Sequence, residues 1–521
     1  TVNKVMSPHD ARFTKRFLVV APGITIRDRL QVLLPNHPKN YYAERDLVPP
    51  QFRGALREAQ IVVTNYHAFL PRDAKEIKGV AKTTREILLG DTAYTADDPF
   101  RETPDQVVAR VLRGFRLPTG RAGKKAASEI VVFNDEAHHC YRYNPDASVG
   151  LTKDEIAELK EAGSWFTGLQ WVMDRTGIKT VYDLSATPFY IKGSGYTEGK
   201  IFPWVVSDYA LMEAIEAGIV KVPRTPVDDD AEDARVTYLS LWDHIGKELP
   251  KRKTASAQPG MWEMPAVLEG ALRSLYRSYE KSFEHWEKNL RSIGEPPPVF
   301  IVVTSNTTVS KLVYDWIAGG PQHASSGEPM LTPSGAPVLR PGNLPLFSNV
   351  ESGKNMTRPP SIIVDSLQLE SGETLSKEFL ADAAAEIDAF KQEYARRNPG
   401  VDVAKIGEGD LLREVMNTVG KKDTLGEHVR CVVSVSMLTE GWDANTVSHI
   451  LGIRAFGSQL LCEQVVGRGL RRRSYALNEQ GHFDPEYASI YGIPFAFIPS
   501  DKNPPPAEPP APATHVFSVP G

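Results

Sequence analysis

The chain has 521 residues, which against a usual domain size of about 100–150 residues argues for roughly two to four domains and for a large core. Sixty Lys and Arg against 65 Asp and Glu give a net charge of −5, so any nucleic-acid surface must be a local basic patch, and a histone-like or tail-type binder is excluded. With 41% hydrophobic and 24% charged residues, the composition is that of a folded protein and not of a disordered one. In chain order, the first elements are short β-branched runs at Arg16 to Ala21, Gln60 to Thr64, Glu129 to Phe133 and Lys179 to Leu184. Such runs predict strands buried on both faces of a parallel sheet with helical crossovers. They define an α/β lobe over residues 1–203, with polar excursions at 71–128 and 144–178 read as peripheral insertions.

Residues 204–298 read as a helical connector. Within 266–291, Val267, Leu268, Leu272, Leu275, Tyr276, Tyr279, Phe283, Trp286 and Leu290 recur at steps of three and four, which predicts a long amphipathic helix. Its other face carries Arg273, Arg277 and Lys281, suited to phosphates, but Glu280, Glu284 and Glu287 are interleaved and point to a solvated face. After Pro296-Pro-Pro298 a second strand-helix alternation begins, with strands at Val299 to Val303, Ser361 to Asp365, Val429 to Ser434 and His449 to Ile453. It predicts a second α/β lobe over 299–500. Eight prolines and six glycines in 318–360 predict a disordered, mobile insertion, and the Pro-rich 501–521 reads as a linker. Cys140, Cys431 and Cys462 form no CxxC pair, which fits buried apolar thiols in a reducing compartment. With no apolar run near the ~18 residues of a membrane span and no leader-like segment, the expected location is cytoplasmic.

Chemistry concentrates after the third strand, in Asn134-Asp135-Glu136-Ala137-His138-His139. Ligands of open α/β sheets bind at the carboxyl edge of the strands. There one carboxylate, Asp135, can hold Mg²⁺ while Glu136 orients or deprotonates a water that attacks a terminal phosphate. The plainer alternative is an acidic helix cap. The fourth strand ends in Ser185-Ala186-Thr187-Pro188 on the same edge, and its hydroxyls can link the acidic site to a neighbouring element. In the second lobe, Gln464-Val-Val-Gly467-Arg468-Gly469-Leu470-Arg471 supplies guanidinium forks suited to the oxygens of a transferring phosphoryl group.

In this order the motifs resemble motifs II, III and VI of superfamily 2 helicases of the DEAH-box type, and Ser436 to Asp443 is similar to motif V. The resemblance implies two RecA-like lobes and an ATP-dependent DNA helicase or translocase that uses ATP and Mg²⁺. It assigns Asp135 to the metal and Glu136 to water, with His138 beside them. Ser185 and Thr187 couple hydrolysis to lobe movement, while Gln464, Arg468 and Arg471 sense the γ-phosphate. Gly441 and Asp443 contact nucleotide. Pro22 and Gly23, Thr64 and Asn65, Thr304 and Ser305, and Thr439 contact the nucleic-acid backbone.

Narrower features, at 134–141, 184–190, 202–208 and 365–372, resemble the helicase subunit of type III restriction enzymes. They imply DNA as partner, a modification methyltransferase subunit, and a nuclease domain in the parent. A motor of this class needs a Walker A loop, and the chain contains no G-x-x-x-x-G-K-[ST] string. Gly193 to Ile201 has the wrong spacing and lacks the hydroxyl residue, and Gly123-Lys124-Lys125 lacks both partner positions. The start at Thr1 and the Pro-rich end lead to the expectation of a fragment truncated at both ends, inactive alone. The rival expectation is a non-catalytic nucleic-acid-binding or scaffold module.

Overall fold

The computed structural model of the chain describes residues 1–72, 101–116, 129–142, 153–186, 190, 196, 200–226, 238–250, 262–324, 328–365, 380–381, 383–399, 402, 406–435, 442–456 and 459–494. Two compact units result, one from the described residues of Thr1–Asp208 together with Trp442, the other from those of Tyr209–Asp365, Ser376–Leu438 and Asp443–Gly521. Both are α/β and built on parallel sheets.

In the first unit β1 (Arg16–Ala21), β2 (Gln60–Asn65), β3 (Ile130–Asp135) and β4 (Ile178–Leu184) form a sheet in the order β2-β1-β3-β4. Every pairing is parallel, with Val20 opposite both Thr64 and Asn134, and Asp135 opposite Leu184. The segments expected as peripheral insertions instead supply the core on one face. Helix Pro104–Val111 starts at a capping box, in which Thr103 and Gln106 bond each other's backbone N–H, with Pro104 in the first turn. It buries Val107, Val108 and Val111, and helix Lys153–Thr176 buries Trp165, Leu169 and Val172, against Leu18, Val20, Ile130 and Val132. Their polar outer faces hid this role in the sequence. β4 departs from two-sided burial. It ends the sheet among the described residues, and Val181, Tyr182 and Leu184 are exposed.

The second unit holds β5 (Val222–Arg224), β6 (Val299–Thr304), β7 (Gly319–Pro321), β8 (Leu339–Pro341), β9 (Val350–Glu351), β10 (Lys354–Asn355), β11 (Ser361–Asp365), β12 (Cys431–Val435), β13 (Val447–Ile453) and β14 (Tyr487–Tyr491). Its main sheet runs β11-β12-β6-β13-β14-β5, all parallel. The region expected as a connector therefore belongs to this unit and contributes an edge strand. Helix Ala266–Asn289 buries Leu268, Leu272, Leu275, Tyr276, Tyr279, Phe283 and Trp286. The Tyr279 ring meets Phe300, Phe347 and His449 at 4.7–6.1 Å. Its charged face is laced by Glu269–Arg273 and Glu287–Arg291 pairs, a solvated face as the interleaved carboxylates foretold.

The insertion expected to be disordered is partly ordered. β7 pairs with β8 and β9 with β10, both antiparallel, and isolated bridges join His323 to Pro329 and Leu331 to Pro337. Prolines survive there because the ribbons are short, so few backbone N–H groups are needed. Gly335 and Gly353 adopt the positive φ that tight turns require. Phe347, Ser348 and Asn349 are buried, and Asn349 donates to Ser361 O, Tyr314 Oη and Glu386 Oε1 at 2.8–2.9 Å. Among the described residues no helix is long and apolar enough to cross a membrane.

Candidate functional site

Because the first sheet is parallel and in register, the segments that follow its strands emerge at one edge. Pro22 and Gly23 follow β1, Thr64 and Asn65 close β2, Asp135 closes β3 with Glu136 next, and Ser185 follows β4. Sequence reasoning on residues as much as 163 positions apart, from Pro22 to Ser185, thus converges on one edge.

Asp135 is the last residue of β3. The chain then turns sharply, with Glu136 in the left-handed region at φ 52 as the cap of a single 3₁₀ turn, Ala137–His139. A non-glycine residue there is uncommon, and such strain collects at functional sites. His138 is 4% exposed, and its Nδ1 lies 2.9 Å from Ser185 Oγ and 3.4 Å from Glu136 Oε2. The acidic turn and the segment after β4 are therefore joined through one imidazole. Thr187, expected as the second hydroxyl, lies outside the described residues.

The floor beneath the acids went unread in the sequence. Asn134 is buried. Its amide donates to Asp183 Oδ1 at 2.8 Å, and its carbonyl accepts from Trp165 Nε1 at 3.3 Å. Trp165 in turn stacks on Tyr66 at 5.7 Å, just after Asn65. One buried amide thus ties β3, β4 and helix Lys153–Thr176 together directly behind Asp135. Adjacency to the acids was the only available signal for Asn134, and none pointed to Trp165. Asn65 Nδ2 lies 3.4 Å from His67 Nδ1, and the Thr64 hydroxyl donates to Asn65 O at 3.4 Å. Pro22 and Gly23 are buried. Gly23 is the N-cap of a six-residue helix, Ile24–Arg29.

In the second unit Thr304 requires correction as a nucleic-acid contact. It is fully buried, and its hydroxyl donates to Ser434 O at 3.2 Å and to Asn306 O at 3.4 Å, so it braces β6 on β12. Ser305 Oγ accepts from Asn306 Nδ2, and Asn306 Oδ1 caps helix Thr307–Ala318 by accepting from Val309 N at 2.9 Å. Asp443 pairs with Lys421 at 3.0 Å; Gly441 and Thr439 lie outside the described residues.

Gln464 and Arg468 stand one turn apart on helix Gln459–Gly469, hence on one face. Arg471 follows the helix end and donates to Arg468 O at 3.4 Å. The two remaining arginines of the cluster are architectural. Arg472 is 6% exposed and donates to Gly218 O, Ser474 O and Asp484 O. Arg473 donates to Pro296 O and meets Glu486 and Glu295. Burial lowers the pKa of the Arg473 guanidinium, against the pull of those two carboxylates. Cys431 and Cys462 are buried free thiols pushed up by desolvation, Cys462 to about 11, and thus unreactive as nucleophiles.

Among the described residues no group of three or more His, Cys, Asp and Glu could cage a metal ion. The donor set at the first edge, two adjacent carboxylates at a strand end, fits Mg²⁺ instead. That ion is typically held by one or two carboxylates, with water and substrate phosphate completing its shell.

No family model and no curated protein matches the chain. Among solved structures it is similar to the Mycobacterium smegmatis helicase Lhr bound to ssDNA and AMP-PNP, at 11% identity and a TM-score of 0.35, over 91% of this chain and 39% of that one. It is also similar to the ATP-dependent Type ISP restriction-modification enzyme LlaBIII bound to DNA, at 12% identity and a TM-score of 0.29, over 94% of this chain and 25% of that one. The chain thus spans about two fifths of the first protein and a quarter of the second.

Proposed function

We propose that the chain is the core of a superfamily 2 translocase that hydrolyses ATP while moving along DNA, of the kind found in type III restriction enzymes. The observation that carries this reading is the His138 bridge, which links the Asp135-Glu136 turn to Ser185 at one sheet edge. A merely acidic cap would need no such link between two strand ends.

Asp135 would hold Mg²⁺, which when bound neutralises phosphate charge and orients the terminal phosphoryl group. Glu136 takes the proton of the attacking water or orients that water, its carboxylate standing 3.4 Å from His138 Nδ1. His138 holds Glu136 and the Ser185 hydroxyl in fixed relation. In the second unit Gln464, Arg468 and Arg471 contribute donors for the γ-phosphate, and Gly441 and Asp443 contact nucleotide. DNA is gripped through its phosphates by Thr64, Ser305 and Thr439, with the buried Pro22, Gly23 and Asn65 backing that edge, which makes binding salt-dependent and indifferent to sequence. A modification methyltransferase as partner follows from the type III resemblance alone.

A second reading, a nucleic-acid-binding module without ATPase activity, is favoured by one specific observation, the lack of a Walker A string in the 521 residues. In the intact parent protein, Glu136→Gln separates the two. The expected result is loss of DNA-stimulated ATP hydrolysis to background, with ATP affinity within about threefold of wild type, since the substitution removes a base and no phosphate donor. Wild-type turnover in the variant rules out the assignment of Glu136, and DNA binding without any ATPase in the unaltered parent protein establishes the module.

A further inference from the structure

The segment Gly218-Ile219-Val220-Lys221 lies far in sequence from the arginine motif, yet it bonds to that motif at Leu470 and Arg472, to Tyr475 just beyond it, and to the start of β13. Gly218 O accepts from Arg472, and Ile219 O accepts from Tyr475 Oη at 3.0 Å. The Lys221 backbone N–H donates to Leu470 O at 2.7 Å, at the exit of helix Gln459–Gly469. The Lys221 ammonium donates to Asn445 O at 2.7 Å and to Val447 O at 2.5 Å. Those carbonyls open β13, where the register against β6 slips between Val447 and His449. A bulge leaves backbone groups outside the regular ladder, and a buried carbonyl without a donor costs about 1–3 kcal/mol.

Lys221 is only 3% exposed. The charged groups facing it are Glu486, which favours its ammonium, and Arg472 and Arg473, which oppose it; the buried His449 also senses its charge. Desolvation lowers the Lys221 pKa to about 7. A residue that costly to bury is retained where a flexible stem bearing several donors meets a need that no apolar side chain can meet.

We propose that Lys221 is a positioning residue for the arginine motif. Its backbone and side chain lock the exit of helix Gln459–Gly469 to the start of β13 and so fix where Arg468 and Arg471 stand. The consequence for hydrolysis rests on the phosphate-sensing role given to those arginines above, whereas the lock itself is read from geometry. Lys221 leads directly into β5, so it ties that edge strand to the helix exit through its backbone N–H and to the start of β13 through its ammonium.

The test compares the full chain with Lys221→Met, which keeps the stem and removes the donors, and with Val415→Ala, a cavity variant elsewhere in the same unit that controls for general destabilisation. Hydrogen exchange is expected to rise at least about tenfold in Lys221→Met at the amides of 459–475 and 445–449. Exchange in β12 and β6 should stay within about twofold, and Val415→Ala should lack that local pattern. DNA-stimulated ATPase should lose at least about tenfold in kcat in Lys221→Met with KM for ATP within about threefold, while Val415→Ala retains wild-type kcat. Unchanged exchange at 459–475, or raised exchange with an unchanged kcat, overturns the proposal. If the wild-type protein shows no ATPase, the exchange pattern alone decides the lock, and the hydrolysis reading is what fails. Should Lys221→Met not fold, Lys221→Gln, which keeps a polar donor on a shorter stem unable to reach both carbonyls, carries the same exchange measurement: a local rise supports the lock, and wild-type protection across 459–475 and 445–449 overturns it.

Discussion

Asn134 and His428 show how much a single buried polar side chain can decide. Asn134 satisfies the Trp165 indole N–H inside the core while reaching Asp183. Asn134→Leu leaves that N–H without its acceptor, and the expected loss is about 1–3 kcal/mol in urea unfolding. His428 is the opposite case, since both its ring nitrogens are buried without a hydrogen-bond partner. Burial lowers its pKa to about 4, helped by Arg358, Arg430 and Arg397 and opposed by Glu393. The folded pKa lies below the unfolded value of 6.5, so the unfolded chain binds the proton first. Stability is therefore full above about pH 6.5 and is lost as pH falls toward about 4. His428→Leu should flatten this dependence and gain on the order of 2 kcal/mol over wild type at pH 4, as read from urea midpoints at pH 8 and pH 4. At this scale the sequence revealed groups whose chemistry is written in adjacent residues, such as Asp135 and Glu136. It concealed Asn134, Trp165 and Lys221, whose roles exist only through partners 31 to 226 positions away.

Elements were legible where one physical signal dominated. The strands Arg16–Ala21 and Ser361–Asp365 match the apolar runs residue for residue, and the others shift by two residues or fewer at either end, because continuous β-branched sequence admits little besides a buried parallel strand. The helices behind the first sheet were missed since half their surface is polar and they sit in long polar stretches. The ribbons of 319–355 were missed since Pro and Gly count against regular structure in bulk while permitting short antiparallel pairs one turn at a time. Among the turns, Gly492 at the end of β14 is the most constrained. Its φ is +71, and a Cβ there would stand 2.1 Å from the carbonyl oxygen of Gly452 on neighbouring β13. Gly492→Ala is expected to cost at least about 2 kcal/mol by combined strain and clash, seen as a lowered melting temperature of the second unit.

For the whole molecule, two α/β units with parallel sheets were foreseeable, but the place of 209–298 was not. A three-residue strand carries too little periodicity to announce itself, and among the described strands β5 joins its sheet through β14 alone. That pairing sets a schedule for biogenesis. The first sheet has all four described strands once Leu184 is made, whereas Val222 must wait for Tyr487, roughly 265 residues later. At about 5–20 residues per second, that wait lasts roughly 10–50 s. During it β5 has no neighbour, and the carbonyls of Asn445 and Val447 do not yet exist for Lys221 to meet. Such non-local closure is slow, so refolding followed by pulsed hydrogen exchange should show β1 to β4 protected before β5 and β14. A ribosome that pauses short of Tyr487 would hold the second unit open, which makes β14, the last of its described strands, the one that commits the arginine motif to its final geometry.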